Sequence, residues 1–215
     1  DNPPPYAILS HTWIHGEEVT YSDLVAGRGK NNSKLRFCAQ QARRDGLDYF
    51  WVDTCCINKS NVQELSTAIN SMFRWYQHAS VCYVYMSDVS MSDEVTDAVA
   101  RKTWGKAFQH SQWFTRGWTL QELLASSTVR FFSKEGVSLG TKKSLEQDVH
   151  EITRVPIEAL RGQPLSEFSI EERLSWTAKR TTTYKEDKIY CLLGIFGVYL
   201  PPIYGEGESH AATRL

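Results

Sequence analysis

Apolar residues follow two rhythms along the chain. Short unbroken runs, Tyr6-Ala7-Ile8-Leu9-Ser10, Tyr49-Phe50-Trp51-Val52 and Val81-Cys82-Tyr83-Val84-Tyr85-Met86, read as buried β-strands. Between them the spacing turns helical. Leu35, Cys38, Ala39 and Ala42 predict a helix over roughly 33–45, ended by Gly46. Val62, Leu65, Ile69, Met72, Phe73 and Tyr76 form a second apolar stripe. Ser60-Asn61-Val62-Gln63 before it has the form of a capping box, with Ser60 as N-cap. Strand, helix, strand, helix, strand is the order of a parallel sheet with helices packed on it. Ligands in such sheets bind outside the carboxyl ends of the strands. Those ends here are Ser10–Trp13, Asp53–Lys59 and Met86–Val89.

Ser87 to Lys102 is polar and reads as a loop. A short helix is expected over Trp118–Ala125, then a strand Val129-Arg130-Phe131-Phe132. Beyond it the pattern is helical, at 144–152, 170–179 and 186–196, with a rigid loop at Pro201–Gly207. The expected architecture is an α/β core over residues 1–140, with a helical extension over 141–215 packed against it.

Composition narrows the function classes. The formal net charge of the 215 residues is -1 and the basic residues are scattered, so nucleic acid and anionic membranes are not expected partners. Arg43 and Arg44 fit the solvated end of a helix. The longest apolar stretch, Ile189 to Leu200, is broken by Gly194 and Gly197 and falls short of the roughly 20 residues of a membrane helix. The chain opens Asp1-Asn2-Pro3-Pro4-Pro5, without a signal-peptide pattern or an initiator methionine, and reads as part of a longer cytoplasmic protein. Five cysteines without regular spacing suggest buried thiols rather than a disulfide framework, and no metal-ligand spacing is present. Adjacent Cys55 and Cys56 read as packing, with no histidine close in sequence to make a nucleophile of either. Phosphate-loop, dinucleotide-fingerprint, zinc-protease and nucleophile-elbow motifs are all missing.

Four blocks carry a family likeness: Tyr6-Ala7-Ile8-Leu9-Ser10-His11-Thr12-Trp13; Trp51-Val52-Asp53-Thr54-Cys55-Cys56-Ile57-Asn58-Lys59; Ala68-Ile69-Asn70-Ser71-Met72; and Trp113-Phe114-Thr115-Arg116-Gly117-Trp118-Thr119-Leu120-Gln121-Glu122-Leu123. With Arg180-Thr181-Thr182, Glu186-Asp187, Tyr190–Phe196 and Tyr204–Gly207, they resemble the fungal heterokaryon-incompatibility (HET) domain over nearly the whole chain. Asn58, Ile14 and Ser126 depart from residues usual in that family, the first weakening any role for a carboxylate there. The resemblance implies a fungal protein of allorecognition or innate-immune cell death, with receptor domains elsewhere in a longer chain. The family is distantly similar to TIR domains, which implies a flavodoxin-like sheet. Some TIR domains cleave NAD at the nicotinamide–ribose bond, with a glutamate in a Trp-Cys-x-x-Glu pattern, often in a self-associated state. Trp118 and Glu122 keep that spacing, with Thr119 in place of the Cys. NAD is therefore the candidate substrate, self-association is expected, and no cofactor or metal is called for.

Each candidate residue has two readings. Glu122 is the candidate catalytic carboxylate, able to stabilise an oxocarbenium-like ribose, or it is the N3 member of a Thr119–Glu122 capping box. Trp118, four residues earlier, shares its helical face and can wall the same pocket. Ser10, His11 and Trp13 are candidate substrate contacts; His11 reads equally as a structural histidine and Trp13 as a core plug. Asp53 is either a ligand contact or a partner for the next loop. Asn58 and Lys59 suit phosphate or simply a polar loop; Glu64, Glu186 and Asp187 suit first helical turns, and Arg180 suits an ion pair with one of the last two. A non-catalytic interaction module would instead expose Trp104 or Trp113 at an oligomer interface.

Overall fold

The computed structural model describes residues 3–91 and 104–215. Strand β1 (Tyr6–His11) is central. It pairs in parallel with β2 (Tyr49–Trp51) on one side and β3 (Val81–Tyr85) on the other. Next to β3 lies parallel β4 (Val129–Phe132), and β5 (Ser138–Thr141) closes the sheet antiparallel to it, giving the order β2-β1-β3-β4-β5. The connection between β4 and β5 is too short for a parallel crossover, so a hairpin is the only return. Four residues with one apolar side chain, Leu139, left that strand without a sequence signal.

Alternation along β1 separates two cores. Ala7 and Leu9 face Cys38 and Ala42 of α2 (Ser33–Arg44), together with Tyr83 and Phe132. Ile8 faces the other way, toward Met72 and Tyr76 of α3 (Val62–His78) and Leu120 and Leu123 of α4 (Trp118–Ala125). The same core takes in Val149 of α5 (Glu146–Thr153), Leu160, Trp176, Leu192 and Ile195. The fold is thus the expected α/β type, with a mainly parallel sheet flanked by helices.

Several local expectations change. The N-cap of α3 is Asn61, which accepts the Gln63 and Glu64 amides, while Ser60 turns back to Asn58. Glu64 does lie in the first turn of α3, as expected, and from there accepts the Asn58 amide. The helix expected over 186–196 splits into α8 (Asp187–Tyr190) and α9 (Leu193–Phe196). Gly194 in α9 lies against α3 so closely that a Cβ there would sit 2.1 Å from the Cβ of Phe73. Trp104 and Trp113 are buried, against the expectation of exposed interface aromatics. Residues 92–102 of the expected polar loop lie outside the described residues. Among the described residues no helix is long and apolar enough to cross a membrane.

Candidate active site at the carboxyl end of the first strand

β1 runs one residue further than expected, so Ser10 and His11 end the strand instead of starting the loop. Both are paired to β3, at Val84 and Tyr85. Chain direction reverses here, since β1 leads to β2 on one side and β3 follows on the other, which is where doubly wound sheets open a crevice. The pleat sends Ser10 and His11 to opposite faces.

Ser10 points toward α4. Its hydroxyl oxygen accepts the indole N–H of Trp113 at 2.8 Å and donates to Oε2 of Glu122. An indole nitrogen is a donor only, so Ser10 must accept from Trp113, which leaves its own proton for Oε2 of Glu122. Glu122 is 4% exposed. Burial pushes its carboxyl up to about 8, and the nearby Asp53 charge adds to the rise, while Ser10 and Arg116 draw it back. The capping-box reading fails. α4 starts from Gly117 with no side-chain cap, and Thr119 lies inside the helix, bonded to the carbonyls of Trp113 and Arg116.

His11 points to the other side, where its Nε2 lies 3.1 Å from Oδ1 of Asp53. The Trp13 indole N–H donates to Oδ2 of the same carboxylate at 3.0 Å. Burial alone would raise Asp53, but the His11 bond and charge, Lys59 and Trp13 outweigh it and hold Asp53 below the usual range. An ionised Asp53 can only accept, so the Nε2 of His11 is the donor in this bond. Its Nδ1 is buried without a hydrogen bond, 3.6 Å from Oε2 of Glu18. Glu18 also holds the Ile14 amide and pairs with buried Lys34, which donates to the Thr12 carbonyl. These bonds tie the loop after β1 to α2.

Trp13 is 41% exposed and so is not a core plug. The Lys59 ammonium sits 3.6 Å from its ring centroid, and the Arg116 guanidinium 5.8 Å. Trp118, one helical turn before Glu122, is engaged elsewhere. Its indole donates to Asp187 at 3.1 Å, and the Tyr204 hydroxyl donates to the other oxygen of that carboxylate at 2.8 Å. Burial raises Asp187 above its usual range, and the two donors oppose the shift. Glu186 accepts the amides of Gly205 and Gly207 and so fixes the loop that carries Tyr204. Arg180 makes no ion pair with either acid, contrary to expectation. Its Nη1 donates to the Arg116 carbonyl and to Thr119, and its Nη2 is buried without a partner. Burial lowers it to about 10, and the Cys191 and Glu122 charges pull it back.

Four of the five expected binding residues, Ser10, His11, Trp13 and Asp53, thus gather with Glu122, and Trp118 borders them through Asp187. Arg116 and Asp187 were missed as site residues. Arg116 lies two residues before the helix of Glu122, and Asp187 comes from a segment more than sixty residues away that sequence spacing cannot bring near. Two clefts of about 590 and 570 Å³ open elsewhere and share none of these residues. Among the described residues no group of three or more His, Cys, Asp or Glu is placed to hold a metal ion.

Residues 6–103 match the family described as heterokaryon incompatibility protein (HET). Over 216 aligned residues the chain is 56% identical to vegetative incompatibility protein HET-E-1 of Podospora anserina, covering 99% of this chain. The chain belongs to the HET family. It spans 16% of the length of that relative, which is a far longer protein. No solved structure matches the chain. The family match begins at Tyr6, so it takes in β1 and the loop that supply Ser10, His11 and Trp13. Glu122 and Asp187 lie beyond it, within the part aligned to the Podospora relative.

Proposed function

We propose that this HET domain acts in heterokaryon incompatibility by hydrolysing NAD at the nicotinamide–ribose bond. The observation that carries the reading is the buried Glu122 carboxyl, held by Ser10 at the carboxyl end of the central parallel strand. A carboxyl so fixed needs no reorganisation to meet positive charge developing on a ribose. In the reaction the C1′–N bond breaks, nicotinamide leaves neutral with the bonding electrons, and C1′ with the ring oxygen carries the charge. Ionised Glu122 stabilises that cation; water adds to C1′ and gives up a proton, leaving ADP-ribose. With its carboxyl raised to about 8, Glu122 holds a proton at neutral pH before substrate arrives. An arriving cationic nicotinamide ring favours the ionised form.

Other parts of the site support the reading. Trp13 offers a half-open aromatic face for a planar ring, with its indole fixed by Asp53. The interaction-module alternative loses its two named surface aromatics, because Trp104 and Trp113 are buried. Cell death would follow from NAD loss, with the remainder of a longer chain controlling assembly of the domain.

The test is NAD loss and nicotinamide release by purified protein at high concentration, wild type beside Glu122→Gln. Consumption by wild type alone, at equal folding, supports the reading. No consumption by either, even under forced oligomerisation, rejects the hydrolase and leaves the interaction module.

A further inference from the structure

The acids around Trp13 are all committed, and the two cations are not. Asp53 holds His11 and Trp13; Glu18 holds Lys34 and the Ile14 amide; Asp187 holds Trp118 and Tyr204; Glu122 holds Ser10. Lys59 and Arg116 approach the same indole, yet among the described residues neither side chain has a hydrogen bond or a carboxylate within 4.0 Å. Two positive charges brought to one ring repel each other, and a Trp face offsets only about 0.5–2 kcal/mol of that cost per cation. Although Lys59 is exposed as a residue, the groups crowded around its ammonium partly desolvate it and hold it below the usual range, against the pull of Asp53, Glu18 and Asp187 at a distance. An anion between the two would offset their mutual repulsion.

Position favours the same conclusion. Lys59 comes from the loop after β2, and Arg116 from the turn that leads into α4. They therefore reach the strand-end crevice from its two sides, over the ring of Trp13. Arg116 acts on both Glu122 and Asp187 through space, so an anion bound to it lies within electrostatic reach of the candidate catalytic carboxyl. Arg116 itself is anchored, because Arg180 donates to its carbonyl and Gly117 donates to Thr181.

We propose that Lys59 and Arg116 form a diphosphate subsite, which selects phosphate-bearing nucleotides over neutral nucleosides. This deepens the reading of a nucleotide site and rests on it. Arg suits a bidentate grip on phosphate and Lys a point charge beside it.

The experiment is calorimetric titration of Glu122→Gln protein, chosen to prevent turnover, using ADP-ribose, inorganic pyrophosphate and adenosine as probes. ADP-ribose is expected to bind, and Lys59→Gln or Arg116→Gln, each added to that background, to weaken it about tenfold or more. Lys59→Arg should restore most of the affinity. Adenosine affinity should not respond to either charge change. Pyrophosphate binding that follows the same pattern shows that the phosphates alone are recognised; its absence, with ADP-ribose bound, shows that the nucleoside part is also needed, and either result keeps the subsite. ADP-ribose binding unchanged in both charge variants, or no ADP-ribose binding at all, overturns the subsite. If the subsite behaves as expected while wild type leaves NAD intact, the hydrolase reading fails and the subsite stands.

Discussion

The Ser10 hydroxyl donates to the carboxyl of Glu122 across 112 positions of chain, at the end of the central strand. That bond is one step of a buried relay, Trp113 to Ser10 to Glu122, in which only Glu122 keeps a trace of exposure. Its first step is fixed by chemistry, because the indole can only donate, and the Ser10 proton is directed to Oε2 of Glu122. Removing the middle member strands both ends. Ser10→Ala should leave the Trp113 N–H and a Glu122 oxygen unsatisfied, costing about 1–3 kcal/mol each by the usual penalty for a buried orphan. It should also lift the Glu122 carboxyl further, since a stabilising donor is gone. Chemical denaturation reads the stability loss, and an unchanged midpoint would show that the relay is not formed.

The raised carboxyl of Glu122 ties stability to pH in a definite sense. Its value in the fold is about 8, against 4.5 for an ordinary glutamate. Between those values the folded protein holds a proton that the unfolded chain has released. The contribution of Glu122 is therefore complete below about 4.5 and is lost progressively as pH rises through about 8. Glu122→Gln stays neutral throughout and has no such loss. Measured by urea unfolding at pH 5.5 and 8.5, the variant should gain stability relative to wild type at the higher pH. A wild-type-minus-variant difference that is flat over this range contradicts the burial of an ionisable group there.

The layout of the sheet was legible because its signals are local. Three apolar runs and two helical stripes predict the order of elements, and a parallel sheet places Ser10, Asp53 and Lys59 at one edge before any coordinate is known. What could not be read depends on tertiary proximity. Thr119 and Glu122 have the spacing of a capping box, yet Gly117 starts the helix because Thr182 packs where a Cβ would stand, 2.5 Å away. Arg180 and Asp187 look like an ion pair in sequence, but each is taken by α4 or the residues leading into it: Arg180 by Arg116 and Thr119, Asp187 by Trp118. Trp113 is open to exposure under the interaction-module reading, and the meeting of its turn with β1 buries it.

Asp187 joins the C-terminal segment to the helix of Glu122. Its two oxygens accept from Trp118 and from Tyr204, so Asp187→Asn keeps the shape but replaces one acceptor with a second donor. One of the two aromatic donors must then lose its partner. The expected result is a loss of about 1–3 kcal/mol in stability, with a change in Trp fluorescence as the Trp118 indole is released. Tyr204→Phe removes only one donor and should be milder. Equal effects of the two substitutions would argue that Asp187 does not link both rings.

Gly194 tests how firmly the C-terminal helices dock on α3. With no Cβ it allows α9 to approach Phe73, and the ideal Cβ position is 2.1 Å from Phe73 Cβ and 2.4 Å from its Cγ. The Phe73 Cβ is fixed by the backbone of α3, so a rotamer change cannot clear that contact. Gly194→Ala must push the two helices apart, and overpacking of this kind costs about 1–3 kcal/mol or more. Replacing Phe73 with Ala in the same chain opens the space only in part, because the Cβ contact remains while the ring contacts go. The double variant should therefore be less destabilised than the sum of the two single changes, a coupling readable from a double-mutant cycle in urea. Additive losses would mean that α9 does not press on Phe73, and that the C-terminal helices are held by their other contacts alone.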